Sequence, residues 1–293
     1  MGELAANQNL PSRGRYISEL LVLWVFTLCC WTAYRFVSSP YIEPMGSVKF
    51  YLGSLIFQPI IWLPPIFLYW KFVRKEKTLP VRFFLNNDYK KSYVFKALVI
   101  GTILVLAELI LQFIRSYAIF NSGLFSYDEI EFYWFNATDS WIHYLAMALT
   151  NLLIIATIEE FFFRGFLQNQ FERVLPKWQS LGIASVLFGL SHLPIAIVVY
   201  EMEGLLLVYS LIQWIGAGLV FGYAYQIFRN IWVCIFYHGL HNVMVLTFYW
   251  DFVGREKVPS DFVQFSIGTL SLIVLYTIMM LLLCISRKKI VNA

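Results

Sequence analysis

Long apolar stretches decide the class of fold. Residues 204–227 read GLLLVYSLIQWIGAGLVFGYAYQI and contain no Asp, Glu, Lys or Arg. A run of about 20 apolar residues is long enough to cross roughly 30 Å of hydrocarbon as a helix. Seven further stretches reach this length, so we predict an all-α, polytopic membrane bundle of about eight transmembrane helices. The predicted spans are 17–37, 50–70, 93–113, 141–163, 180–200, 204–227, 231–250 and 264–286.

The overall composition is also typical of a membrane protein. Of the 293 residues, 59% are hydrophobic and only 14% are charged, and the mean hydropathy is +0.66. Soluble domains are about 45–50% apolar and about 25% charged, which excludes a water-soluble globule, a disordered chain and a coiled coil. The four Cys lie inside apolar runs without metal-ligand spacing, so they do not indicate a disulfide scaffold.

Loop charges predict the orientation in the membrane. With the amino terminus in the cytoplasm, 15 Lys and Arg fall in inner loops and only 4 in outer loops. Cytoplasmic loops are normally enriched in Lys and Arg, so we expect a multi-pass protein, located in the cell membrane, with both termini cytoplasmic. The net charge of +4 is then explained by loops that face lipid headgroups, and a nucleic-acid partner is not expected.

The chain is expected to form one bundle with three parts. Residues 1–140 form an amino-terminal region of three spans with a basic cytoplasmic loop. Residues 141–250 form a core of four spans, and residues 251–293 contribute a loop and the last span. The polar residues inside predicted spans are concentrated in the second part, which is therefore expected to carry the functional site.

The fourth predicted span ends in the charged sequence EEFFFRG, residues 159–165. An ionisable side chain at the centre of a spanning helix costs about 2.5–3.5 kcal/mol, so each one needs an explanation. Glu160 and Arg164 are four residues apart and can form an ion pair, whereas Glu159 points elsewhere and has no local counter-charge. A structural cluster of charges that reaches towards the cytoplasm is an alternative interpretation.

Two further spans carry histidines. In the fifth, His192 follows Phe188 by one helical turn, and Pro194 is expected to bend the helix there. In the seventh, His238 and Asn242 lie one turn apart on one face. Each residue alone is also typical of a hydrogen bond between helices. Taken with Glu159, they indicate one shared polar site.

Two other polar residues lie inside predicted spans but are not assigned to this site. Glu108, in the third span, is expected to lie near the outer interface with a structural role. His241 shares a sector of the seventh span with His238 but has no assigned role.

This set of residues fits the hydrolysis of a peptide bond. A carboxylate in a low-dielectric pocket is a useful general base near neutral pH, so Glu159 can take a proton from water that His192 holds. His238 and Asn242 offer two donors for the developing oxyanion. These roles need no metal and no other cofactor, although a zinc site built from Glu and His remains an alternative.

The three motifs together resemble the CPBP (ABI) family of intramembrane glutamic endopeptidases, which includes the type II CAAX prenyl proteases. The family patterns E-E-x-x-x-R, F-x-x-x-H and H-x-x-x-N match, in order, Glu159 to Arg164, Phe188 to His192 and His238 to Asn242. The resemblance covers roughly residues 141–250. It implies a metal-independent protease with Glu159, His192, His238 and Asn242 as catalytic residues, Glu160 and Arg164 as supporting residues, and a site that opens to the cytoplasm.

The predicted function is therefore endoproteolysis of a peptide or membrane protein within the lipid bilayer. A non-catalytic protein of the same fold is the alternative, either a membrane scaffold or a bacteriocin self-immunity protein, because fold does not guarantee turnover. A transporter or channel is a weaker candidate, since paired half-sequences with matched interruptions are missing.

Overall fold

The computed structural model describes residues 12–38, 48–74, 91–121, 129–134, 141–253 and 262–291. These ranges form a bundle of helices with one small two-stranded sheet. The elements in chain order are α1 (Arg13–Ser38), α2 (Val48–Leu68, continued by a π-helical turn, Tyr69–Arg74), α3 (Lys91–Asn121), β1 (Glu129–Trp134), α4 (141–172), α5 (Lys177–Leu190), α6 (Leu193–Val198), α7 (Gly204–Phe228), α8 (Ile231–Thr247), β2 (Phe248–Val253) and α9 (Phe262–Val291).

The helical membrane bundle predicted from the sequence is confirmed. Within the described ranges, seven helices are long and apolar enough to cross a membrane. They cover residues 13–37, 53–74, 94–119, 144–172, 177–198, 204–228 and 265–285. The predicted span 231–250 corresponds to α8, whose 17 residues extend only about 25 Å, less than the roughly 30 Å of a bilayer core.

The structure adds a small sheet to the helical bundle. β1 and β2 pair in antiparallel register from Glu129 opposite Val253 to Trp134 opposite Phe248. β2 follows α8 without a break, so the last residues of the predicted span 231–250 are strand rather than helix. The sheet thereby links the connection before α4 to the carboxyl end of α8.

Helix α4 occupies the centre of the bundle. It packs against α2, α5 and α8, and makes smaller contacts with α7. Three of its aromatic residues, Phe162, Phe163 and Phe166, are almost completely buried, and the Trp62 ring of α2 contacts Phe162 edge-on at a centroid distance of 4.9 Å. A helix buried on several sides can hold charged side chains away from lipid, which explains why the EEFFFRG sequence lies here.

Glycines allow close approach between the helices around α4. A Cβ at Gly239 of α8 would lie 3.0 Å from the Leu152 Cα of α4, and one at Gly218 of α7 would lie 3.2 Å from the Ser185 Cα of α5. Small residues at helix contacts are the usual means of tight packing in membranes. The motif helices α4 and α8 are therefore packed at backbone distance, and the motif helix α5 is packed in the same way against α7.

Candidate active site

The two adjacent glutamates lie in an irregular part of α4. A short α-helical stretch, Ala156–Glu160, is flanked by two π-helical stretches, Thr150–Ile155 and Phe161–Gln168. Hydrogen bonds from residue i to i+5 widen the helix, and such stretches are frequent at functional sites. Glu159 and Glu160 are both buried and approach different nitrogens of His238, and Glu160 pairs with Arg164 as the sequence predicts.

Glu160 is the fully buried centre of an ion-pair cluster. Its Oε1 accepts a hydrogen bond from Arg164 Nη1 at 3.0 Å, which confirms the predicted ion pair. The same oxygen lies 2.8 Å from His238 Nδ1 of α8. A buried carboxylate needs charged partners and hydrogen bonds, and Glu160 obtains both from two different helices. The cluster therefore joins α4 to α8 at the first and third motifs.

Arg164 extends this cluster to two more helices. Its Nη2 donates to the carbonyl oxygen of Gly218 in α7 at 3.0 Å, and its guanidinium lies 4.4 Å from the ring centroid of Phe188 in α5. One turn further along α4, Gln168 donates in the same way to the Gly222 carbonyl at 3.1 Å. Arg164 thus positions the Phe-containing second motif relative to the first.

His238 also faces Glu159. Its Nε2 is 3.9 Å from Glu159 Oε2, while its Nδ1 is held by Glu160. The ring stacks on Phe221 of α7 at 4.8 Å with an angle of 20° between the planes. Because Phe221 holds one face of the ring and Glu160 holds Nδ1, the Nε2 edge of His238 has a defined direction towards the Glu159 carboxyl.

His192 lies where the predicted fifth span is interrupted. Helix α5 ends at Leu190, and α6 starts at Leu193 with Pro194 in its first turn. The His192 Nδ1 lies 3.0 Å from the Phe188 carbonyl oxygen, an interaction that requires a proton on Nδ1. The ring stacks on Trp214 of α7 at 4.8 Å. In the neutral ring, Nε2 is then a hydrogen-bond acceptor.

Phe188 connects the two histidines. Its ring contacts His192 at a centroid distance of 4.9 Å and His238 at 5.7 Å, edge-on in both cases. The structure thus brings Glu159, Glu160, Arg164 and His238 into one cluster and places His192 next to it through Phe188. Asn242 is half-buried one turn beyond His238, on the same side of α8 by helical geometry.

A second buried network lies between α3 and α8. Glu108 Oε2 accepts a hydrogen bond from Tyr237 Oη at 2.8 Å and lies 3.1 Å from His241 Nδ1, while Gln112 donates to Oε1 at 3.2 Å. Glu108 is 2% exposed and lies near the middle of the helix 94–119. The helix extends six residues beyond the predicted end of the third span at 113, and the buried network supports the predicted structural role of Glu108. The network gives His241 a partner.

Sequence reasoning missed three side chains beside the cluster. Phe221 and Trp214 of α7 stack on the two histidines. Gln58 of α2 is 2% exposed and lies level with Glu159, because Trp62, one turn further along α2, contacts Phe162 of α4. The only available signal for Gln58 was an amide inside an apolar span, next to Pro59. The two α7 aromatics have no such signal, since aromatic residues are common in every span.

The residues do not form an evident metal site. Within the described ranges, no three His, Cys, Asp or Glu side chains are arranged so that they could hold a metal ion. His238 Nδ1 is engaged by Glu160, and His192 Nδ1 by the Phe188 carbonyl. Neither contact uses the Nε2 atoms of the two rings, so the choice between the metal-independent and the zinc mechanism is left to the chelator experiment below.

The fold and the cluster define a polytopic membrane protein with buried acidic and histidine side chains on neighbouring helices. Residues 141–244 match the family model described as "Type II CAAX prenyl endopeptidase Rce1-like". This match confirms the resemblance inferred from the three motifs, all of which lie inside the matched segment. A comparison with curated proteins found no significant match. At the level of the family, the chain is similar to CAAX-type endopeptidases of the membrane.

Proposed function

We propose that this protein is an intramembrane endopeptidase that hydrolyses peptide bonds with a water activated by Glu159. The observation that carries the proposal is the position of the Glu159 carboxyl 3.9 Å from His238 Nε2, with His238 Nδ1 bound by Glu160. A general base and an electrophilic donor are thus adjacent, as water attack on a carbonyl requires. The matched family supports the same class of reaction.

In the proposed reaction, Glu159 accepts a proton from water while the water oxygen attacks the peptide carbonyl carbon. His192 Nε2 accepts the second proton of this water in a hydrogen bond, because its Nδ1–H donates to Phe188. The developing oxyanion is stabilised by His238 and by the Asn242 amide. The C–N bond then breaks, and Glu159 delivers the proton to the leaving amine.

The contact with Glu160 defines which form of His238 can act. The Nδ1 proton is committed to Glu160, so Nε2 donates to an oxyanion only when the ring is doubly protonated. In that form both ring nitrogens carry a proton and each faces a carboxylate, Nδ1 that of Glu160 and Nε2 that of Glu159.

The proposal includes the membrane orientation and the absence of a metal. Both termini face the cytoplasm, which requires α8 to cross the membrane as an eighth span beside the seven longer helices. The site opens to the cytoplasmic side, and the substrate is a peptide or membrane protein embedded in lipid. The excess of Lys and Arg in the inner loops supports the orientation. Reporter fusions to the ends and loops test it, and a reporter at either end that responds only outside the cell contradicts it.

The decisive experiment compares two carboxylate-to-amide substitutions in protein reconstituted in liposomes. Glu159→Gln is expected to reduce cleavage of a prenylated peptide at least about 100-fold, the usual contribution of a general base. Glu108→Gln makes the same change at another buried carboxylate and is expected to retain cleavage. Both variants must insert and accumulate like the wild type.

Two further results distinguish the alternatives. Retained cleavage by Glu159→Gln contradicts the base assignment. Loss of wild-type cleavage in the presence of a chelator, with recovery on addition of zinc, shows a metalloprotease instead. A non-catalytic scaffold keeps its biological effect in the Glu159→Gln variant.

A further inference from the structure

Gln58 is an unusual residue for its position in the bundle. It lies on the apolar helix α2, which packs against α4, the helix that carries Glu159. Its side chain is only 2% exposed, and Trp62, one turn further along the same face of α2, contacts Phe162, one turn beyond Glu159 in α4. Gln58 therefore lies level with Glu159, in a position to hydrogen-bond its carboxyl. Since a carboxylate accepts hydrogen bonds, the Gln58 amide group must present its N–H to Glu159.

The carbonyl oxygen of the Gln58 amide makes no hydrogen bond within the part of the chain that the structure describes. This oxygen, Oε1, is itself buried. A buried carbonyl without a partner is costly, so a donor from outside the protein is expected to complete it. Because Oε1 and Nε2 belong to one planar amide, this donor must bind next to the Glu159 carboxyl.

The proposed reaction leaves one class of donor for this oxygen. The attacking water has two protons, one directed to Glu159 and the other to His192 Nε2. A peptide substrate, in contrast, carries a main-chain N–H beside almost every carbonyl, and these groups need acceptors when they enter a membrane interior. Near Glu159 the only N–H groups brought by the substrate are those beside the scissile bond.

We propose that Gln58 binds a main-chain N–H of the substrate next to the scissile bond through Oε1, while its own N–H orients Glu159. This inference rests on the proposed function and adds a helix outside the matched segment 141–244 to the substrate site. The hydrogen bond from the substrate N–H to Gln58 also predicts a substrate preference. A residue without an N–H, such as proline or an N-methylated residue, is disfavoured at one position beside the cleaved bond.

The test uses a fluorogenic peptide with a farnesylated Cys followed by three residues, and a series in which each amide near the Cys is N-methylated in turn. The wild type is expected to lose roughly tenfold in kcat/KM at one methylated position, the effect of one lost hydrogen bond. Gln58→Met, of similar shape, should cleave the parent peptide roughly tenfold less well and show no further loss at that position.

Two further variants control for indirect effects. Gln112→Met removes an amide that hydrogen-bonds Glu108 instead, and it should keep the wild-type response to methylation. Gln58→Asn, which shortens the amide by one methylene, provides a second variant if Gln58→Met does not fold. It should also lose the discrimination.

The outcomes separate the two proposals. If the wild type cleaves the parent peptide and Gln58→Met remains as sensitive to the same N-methyl group, Gln58 does not bind that N–H and the inference is wrong. If the wild type neither binds nor cleaves any peptide of the series, the proposed function for this substrate class fails and the inference fails with it. A discrimination that disappears equally in Gln112→Met also overturns the inference.

Discussion

The ion pair between Glu160 and Arg164 gives the most stringent test of how the site is held together. Both side chains are almost fully buried, and Glu160 Oε1 accepts from both Arg164 and His238. Arg164→Met removes the charge that balances Glu160 and leaves the Gly218 carbonyl without its donor. Breaking a buried pair in this way typically costs about 3–5 kcal/mol.

The double variant Glu160→Gln/Arg164→Met should cost less than this single change. It removes both charges together, and the carbonyl oxygen of the introduced amide still accepts from His238. The remaining loss consists of neutral hydrogen bonds and packing, about 1–3 kcal/mol. Because the two residues are in contact, their effects on the free energy of unfolding are expected to be strongly non-additive.

Denaturant unfolding in detergent micelles measures the double variant and the two single variants, Arg164→Met and Glu160→Gln, with helical circular dichroism as the signal. The expected order of stability is wild type, double variant, then Arg164→Met alone. A double variant that is as unstable as the sum of the two single variants would refute the view that charge balance, rather than shape, holds the cluster. The matched packing control is Gln168→Met, which removes a neutral donor to the Gly222 carbonyl and should cost only about 1 kcal/mol.

The remaining predictions concern the packing around the site. Glu108→Leu is expected to lower the free energy of unfolding by about 3–5 kcal/mol, because it leaves the buried Tyr237 and His241 donors without an acceptor. Thermal unfolding of Glu108→Leu, His241→Leu and the Glu108→Leu/His241→Leu double variant should show that the two residues are energetically coupled. Gly101→Ala should lower the free energy of unfolding by about 1–3 kcal/mol, since a Cβ there would lie 2.9 Å from the Tyr237 backbone nitrogen. Gly182→Ala is the control, because a Cβ there has nothing within 4 Å, and it should be neutral or slightly stabilising in the same assay. Equal losses at the two glycines would contradict the close approach of α3 and α8.

Sequence patterns predicted the bundle because a membrane span is a local property. A run of about 20 apolar residues can be recognised as a membrane span without reference to the rest of the chain. The spans predicted over 180–200 and 204–227 lie within three residues of the helical ranges 177–198 and 204–228. The length of α8 was overestimated because its last apolar residues, 248–250, pair with β1 instead of continuing the helix.

The site could be predicted only in part, since its residues meet through tertiary contacts. The Glu160–Arg164 pair follows from a spacing of one turn and was predicted correctly. The contact of His238 with Glu160, and that of His241 with Glu108, join residues 78 and 133 positions apart. No periodicity within a single helix contains that information. Gln58 was missed for the same reason, because its relation to Glu159 exists only after α2 packs on α4.

The contacts from α4 to the Gly218 and Gly222 carbonyls have a consequence for how this protein can diverge. A partner made of main chain is present whatever residue type occupies the position, so drift in the α7 sequence does not delete the acceptor. Sequence drift can instead disturb the packing that brings donor and acceptor together. A Cβ at Gly218 would lie 3.2 Å from the Ser185 Cα, and one at Gly222 would lie 2.7 Å from Gln168 Oε1. Among distant homologues, conservation at these two positions should therefore follow residue size rather than polarity, with alanine as the upper limit.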